Sequence, residues 1–274
     1  MLNLLHRDPR DYVISLLALI SAVSLLASPS LSSLVHLLTA VSLAAALDVI
    51  LKALTRRQLI FPRSGLVTGL LIGLILDPTV PLWLTGLACL TAIASKLVFK
   101  LNQQHVFNPA AFGLLIAGLL WPASVSWWAV SPYPLTSLIL LVDMAALLVF
   151  RLPIWPLPVG FLLVYFTYTL MKFPFSLFRF IDPTIFLFAW VMVSEYKTSP
   201  VTGSWRYTFG ALVGIIFLVL IELWPNLPTD PLITALLTGN LFSFSLRHLP
   251  AGFRTNLPPP PASSPSAPST TAST

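Results

Sequence analysis

The apolar positions of this chain gather into ten runs, at roughly 12–27, 31–51, 65–77, 82–99, 106–121, 134–150, 155–171, 181–194, 206–224 and 230–246. A helix rises about 1.5 Å per residue, so about 20 residues cross a hydrocarbon core about 30 Å thick. The pattern predicts an all-α polytopic membrane protein of ten transmembrane helices. Runs 65–77, 106–121 and 181–194 are short for a full crossing. Tilted or broken helices, or a locally thinned bilayer, are expected there. The first run ends in Ala27-Ser28-Pro29, but in so polytopic a chain it reads as a retained span rather than a leader. From Pro250 onward Pro, Ser and Thr dominate. This divides the chain into a transmembrane domain, 1–249, and a disordered cytoplasmic tail, 250–274.

The runs also suggest a 5+5 inverted repeat. The fifth opens with Asn108-Pro109-Ala110 and the tenth with Asp230-Pro231, each a capping side chain followed by Pro at the first helical position. Both reach a Gly about ten residues on, Gly118 and Gly239. The third run starts at Ser64-Gly65 and the eighth at Asp182-Pro183-Thr184. Five spans per half would invert the second copy. Short, Pro- or Gly-marked segments at matching positions of two halves point to a site near the repeat interface.

Charge sets the orientation. Of 15 Lys and Arg, thirteen fall on one side if the termini share it: Arg7, Arg10, Lys52, Arg56, Arg57, Arg63, Lys96, Lys100, Arg151, Lys197, Arg206, Arg247 and Arg254. Only Lys172 and Arg179 fall on the other. The positive-inside bias therefore predicts an inner-membrane protein of the cytoplasmic type with both termini in the cytoplasm. Charged residues make up 9% of the chain, the mean hydropathy is +0.89 and the net charge +6. That excludes an ordinary soluble enzyme, a disordered protein and a nucleic-acid binder; the bilayer is the expected surrounding. One cysteine, Cys89, excludes an internal disulfide and a four-cysteine iron–sulfur cluster held by this chain alone.

Few residues can carry chemistry. Three loop-to-helix junctions on the cytoplasmic side are polar: Arg63-Ser64 to Thr68-Gly69, His105 to Ala110, and Glu195 to Gly203. Helix N-termini present unpaired N–H groups and partial positive charge, which suits phosphate, carboxylate or the N1/C2=O edge of a flavin, electron-rich when reduced. Asn108 offers both a donor and an acceptor; at this level it is equally a ligand residue or a helix cap. Asp143 is the acidic residue placed deepest, either on an ion or proton path or hydrogen-bonded between helices. Asp48, Lys96 and Glu222 sit nearer the interfaces, where snorkelling would serve them. His36 alone lies within a span, so an internal bis-His haem is not expected. No nucleotide-binding Gly-rich loop, nucleophile elbow or His-Glu-x-x-His metal motif is present.

Three motifs in order carry a resemblance. The string from Ser64-Gly-Leu-Val-Thr-Gly to Asp77-Pro78 and Trp83, then Ala94-Ser-Lys96 with His105-Val-Phe-Asn-Pro-Ala-Ala-Phe-Gly113, then Ser194-Glu-Tyr-Lys-Thr-Ser-Pro200 with Arg206-Tyr-Thr-Phe-Gly210, resemble the RnfD/NqrB family. Those proteins are flavin-carrying membrane subunits of Rnf complexes and of sodium-translocating NADH:quinone reductase. The resemblance implies a ten-span 5+5 bundle that passes electrons within a larger redox complex, with other membrane redox subunits and quinone as partners. It implies a non-covalent riboflavin or FMN at the Asn-Pro-Ala segment. The candidate contacts are Asn108, Pro109, Ala110, His105, Ser64, Thr68, Thr198 and Ser199, with Ala110 and Gly113 expected to leave room for a flat ring. Covalent FMN is not expected, because the connection from Pro122 to Tyr133 lacks the family's Ser-Gly-Ala-Thr-like acceptor motif. The family's Thr-Asp-Pro stands here as Ser194-Glu195-Tyr196. Without redox chemistry the same architecture would suit a small-solute or ion transporter, or a cofactor-free anchor subunit. One chain with no nicotinamide fold is in any case no complete reductase.

Overall fold

A computed structural model describes residues 8–56, 60–101, 104–130, 135–136, 138–142, 155–195, 197–199 and 205–247. The helices are α1 (Pro9–Ala27), α2 (Leu31–Arg56), α3 (Arg63–Ile75), α4 (Leu82–Val98), α5 (Pro109–Leu120), α6 (Pro156–Lys172), α7 (Leu177–Phe180), α8 (Pro183–Leu187), α9 (Trp205–Leu223) and α10 (Pro231–Arg247). Helix α8 runs directly into a π-helical turn, Phe188–Val193. Residues 135–136 and 138–142 are helical too and lie in the sixth predicted run. Most of that run, with Asp143, lies outside the described residues, as does the tail 250–274. By length and composition three helices can cross a membrane: Arg10–Ala27, Leu31–Thr55 and Trp205–Leu223. The others are shorter.

The described residues are helical as expected, apart from a minimal antiparallel hairpin of β1 (Lys100–Leu101) and β2 (Gln104–His105), with Lys100 opposite His105. It reverses the chain between α4 and α5, and Phe99, Phe107 and Phe112 cluster beside it at centroid distances of 5.2–5.7 Å. Two paired residues per strand leave no alternation to read.

The helix starts follow their sequences. Asp8, Asn108, Asp182 and Asp230 each cap a helix whose next residue is Pro, accepting from the backbone N–H of Arg10, Ala111, Thr184 and Ile233 at 2.8–3.1 Å. Each acceptor satisfies a donor that the first turn leaves open, and Pro supplies a φ already suited to the helix.

Helix α3 packs along α2, α5 along α4, and α9 along α6 and α10. These seams rest on close backbone approach. A Cβ on Gly210 would lie 1.9 Å from the Leu157 carbonyl, and one on Gly113 would lie 2.3 Å from the Ala88 carbonyl. The space beside Gly113 is therefore filled by α4 and leaves no room for a ring, against the expectation from sequence.

The connection after α5 is buried or half-buried from Ser124 to Val130. Helix α3 ends after 13 residues with its last carbonyls inside the protein. Leu76 N–H takes that of Ile72 at 2.9 Å. The returning segment takes the rest: Trp128 Nε1 donates to Gly73 at 2.9 Å, Ala129 N to Leu74 at 3.4 Å, and Ser126 N and Trp127 N to Ile75 at 3.0 and 3.1 Å. To make these bonds the segment turns through positive φ at Ala123 and Trp127, 62° and 52°.

Gly210→Ala is expected to force α9 from α6 and cost about 1–3 kcal/mol, the range for overpacking a filled contact. Thermal unfolding in detergent checks this. Gly86→Ala is the control, because its new Cβ would meet nothing closer than 3.7 Å.

Candidate functional site

The end of the bundle where α3 and α5 begin and α4 ends carries a buried polar layer. Lys96, in the last turn of α4, is 5% exposed, and Asp48 on α2 is 2% exposed. Neither snorkels, which corrects the expectation from sequence. Lys96 Nζ lies 3.4 Å from Asp48 Oδ1 and donates to Ser64 Oγ at 2.9 Å; Lys52 Nζ lies 2.6 Å from Asp48 Oδ2. The second charge on Asp48 comes from its own helix one turn on, so the carboxylate holds two cations. At the rim Arg63 pairs with Asp11 at 2.6 Å, tying α3 to α1.

Next to this layer sits the start of α5. Asn108 is 2% exposed. Its Oδ1 accepts from Ala111 N at 3.1 Å and its Nδ2 donates to the Met192 carbonyl at 3.5 Å. Asn108 is thus a helix cap, and it also joins α5 to the end of the π-helical turn. One amide N–H and one lone pair stay uncommitted by these bonds. Pro109 and Ala110 are buried in the same first turn.

Of the other expected contacts, the structure brings Ser64, His105 and Ser199 to this end. Ser199 Oγ donates to the Val193 carbonyl at 2.7 Å, closing the π turn. Thr198 is buried and lies 3.4 Å from the Glu195 carbonyl. Thr68 is directed into its own helix, donating to the Ser64 carbonyl at 2.8 Å.

His105 Nδ1 and Trp190 Nε1 are buried with no hydrogen-bond partner among the described residues. Sequence reading weighs His105 but passes over Trp190, whose signal is an indole inside a short apolar run. A π-helical turn holds it, and such turns recur at functional sites. Two titratable groups at this end are shifted from their ordinary values. His105 is pushed down from 6.5 to about 4, by burial first and then by Lys197, Lys96 and Lys100. Burial also pushes the Glu195 carboxyl up, against the pull of Lys96 and Lys197.

The opposite end holds a cavity of about 230 Å³ where α5 ends and α10 begins, lined by Gly118, Ser124, Thr229 and Asp230 among others. Trp127 Nε1 donates to Asp230 Oδ2 at 3.0 Å.

Residues 9–133 match the family described as NQR2, RnfD, RnfE. Among known proteins, the D component of the ion-translocating oxidoreductase complex of Methanosarcina acetivorans is 25% identical over 187 residues, 62% of this chain and 65% of that protein. The component of the same name from Ectopseudomonas mendocina is 34% identical over 100 residues, 35% of this chain and 29% of that protein. That of Yersinia enterocolitica is 38% identical over 84 residues, 30% of this chain and 22% of that protein. The matches thus span less than two thirds of these relatives' own length. The resemblance read from the sequence is borne out.

The shift of His105 has a stability consequence. Above pH 6.5 the side chain is neutral folded or unfolded, and its contribution is complete. As pH falls from 6.5 towards 4 the unfolded chain takes up the proton first, so stability is lost across that window. His105→Phe is expected to remove that part of the pH dependence of thermal unfolding. An unchanged profile would show that His105 titrates normally.

Proposed function

We propose that this chain is a membrane electron-transfer subunit that binds a non-covalent flavin, riboflavin or FMN, at the polar layer around Asn108. It passes electrons within a larger redox complex whose other membrane subunits, or quinone, give and take them. The observation that carries the reading is the pair of buried, unpartnered ring nitrogens, Trp190 Nε1 and His105 Nδ1, on the elements that flank Asn108. The relatives' names supply the class: subunits of an ion-translocating oxidoreductase complex.

The residues fit such a group. A bound flavin supplies the one- and two-electron chemistry that no side chain of this protein can. Trp190 offers a donor in a place that water does not reach, and Asn108 keeps one amide N–H and one lone pair for the ring's polar edge. The first turn of α5 carries partial positive charge, worth about 0.3–1 kcal/mol to an anion at exposed sites and up to about 2 kcal/mol when partly buried. Lys96 adds a full charge nearby, held against Ser64 and Asp48, which favours the electron-rich form of a guest. Pro109 fixes the turn. No covalent attachment is expected, and Ser124 and Ser126 are the hydroxyl residues that the Pro122–Val130 segment offers.

The same reading takes the architecture as a 5+5 inverted repeat with both termini in the cytoplasm. It is supported by paired relations. Helix α5 packs on α4 as α10 packs on α9. The cap of α5 meets the end of the π turn, and the cap of α10 meets the segment that closes α3. The polar layer then faces the cytoplasm, as the basic residues require.

Riboflavin titrated into detergent-solubilised protein is expected to bind, with its fluorescence quenched. Asn108→Leu should weaken that binding at least about tenfold, the loss expected for an unmade buried hydrogen bond with its desolvation. Asn108→Asp keeps the cap and reports whether folding is intact. If riboflavin and FMN both fail to bind the unaltered protein, the reading is wrong.

A further inference from the structure

The carboxamide of Asn240 is a buried polar group with no hydrogen-bond partner among the described residues. Asn240 is 0% exposed and lies well inside α10, in line with Ile233 and Leu236 on the stripe turned to the protein interior. Neither its Oδ1 nor its Nδ2 has a partner among the described residues. Hydroxyls on the same helix satisfy themselves: Thr238 donates to the Thr234 carbonyl at 2.8 Å and Ser245 to that of Leu241 at 2.9 Å. Asn240 makes no such bond among the described residues. An unpaired buried amide is costly, so the residue type at this place points to a guest of matching chemistry.

Its depth follows from helix register. Helix α10 begins where α5 ends and packs along it: a Cβ on Gly118 would lie 3.4 Å from Thr229 Cγ2. From Gly118 back to Asn108 is ten residues, and from Thr229 on to Asn240 is eleven. At about 1.5 Å per residue both descend roughly 15 Å and arrive at one level. Helix α10 also touches the π-helical turn, which carries the unpartnered Trp190 Nε1 and receives Asn108 on Met192. Asn108, Trp190 and Asn240 thus stand on three elements in mutual contact, the last two with polar atoms unmet.

We propose that Asn240 binds the imide edge of the flavin's pyrimidine ring, a role that rests on the flavin reading above. A carboxamide sets a donor beside an acceptor, and its complement is a ring N–H beside a ring C=O. That is the edge a flavin presents. A quinone presents acceptors alone and would leave Asn240 Oδ1 unpaired, so the residue selects between these two classes of redox guest.

The test compares riboflavin with 3-methylriboflavin, which keeps the ring and its carbonyls but lacks the imide N–H. Both are titrated into the full detergent-solubilised chain and read by flavin fluorescence. The unaltered protein is expected to bind riboflavin at least about tenfold more tightly than the methylated ring, since a site built to hydrogen-bond a group rejects the analogue without it. Asn240→Ala should weaken riboflavin binding and bring the two affinities together. Equal affinity of the unaltered protein for both flavins overturns the role of Asn240 and leaves the flavin reading standing. Binding of neither flavin overturns both. The comparison on the unaltered protein needs no variant to fold.

Discussion

A helix that ends inside an apolar slab leaves its last carbonyls without water, and the rest of this structure is arranged around that constraint. Helix α3 stops at Ile75 in a fully buried setting. Its carbonyls are met by backbone N–H groups and one indole from a segment some fifty residues later in the chain, Ser126 to Ala129. The π-helical turn ends the same way, its carbonyls taken by Asn108 and Ser199. Each broken helix is thereby tied to an element distant in sequence, and those ties bring Asn108, Trp190 and the end of α4 to one level of the bundle. The site is a consequence of closing the helix ends.

The charges follow from the same economy of partners. A lone ammonium or carboxylate at the depth of Lys96 and Asp48 would be strongly unfavourable, and a buried pair roughly breaks even against an apolar core. Asp48 answers with two cations and Lys96 with a second acceptor, Ser64. What the network secures is a fixed positive centre at the foot of α3, α4 and α5. A protein that only needed to pack these helices would do as well with leucine. On the proposed reading, the cluster serves a guest whose charge changes.

Much of this was legible in the sequence. The helix starts were, because an Asx-Pro pair encodes its own cap: Asn108, Asp182 and Asp230 needed nothing from afar. The apolar runs foretold the observed helices to within about five residues, except the four-residue α7, which falls between two runs, since burial in a bilayer acts on every residue of a span alike. What could not be read depends on partners distant in sequence. Lys96 looked like a snorkelling residue until Asp48, 48 positions earlier, was found beside it. Gly113 looked like space for a ring, yet it is space for the backbone of α4. The segment from Trp121 to Val130 looked like a short loop, since nothing local shows that its N–H groups are owed to α3. Trp190 and Asn240 were passed over for the same reason: a polar atom is notable only once its surroundings are known to hold no partner for it.

The central claim is that the polar layer holds a flavin without a covalent bond, and the direct measurement is an absorbance spectrum of protein purified from its own membrane in mild detergent, followed by acid precipitation. The account predicts flavin bands in the native protein, with the chromophore passing wholly into the acid supernatant. A colourless protein, or yellow colour that stays with the precipitated chain, would contradict it.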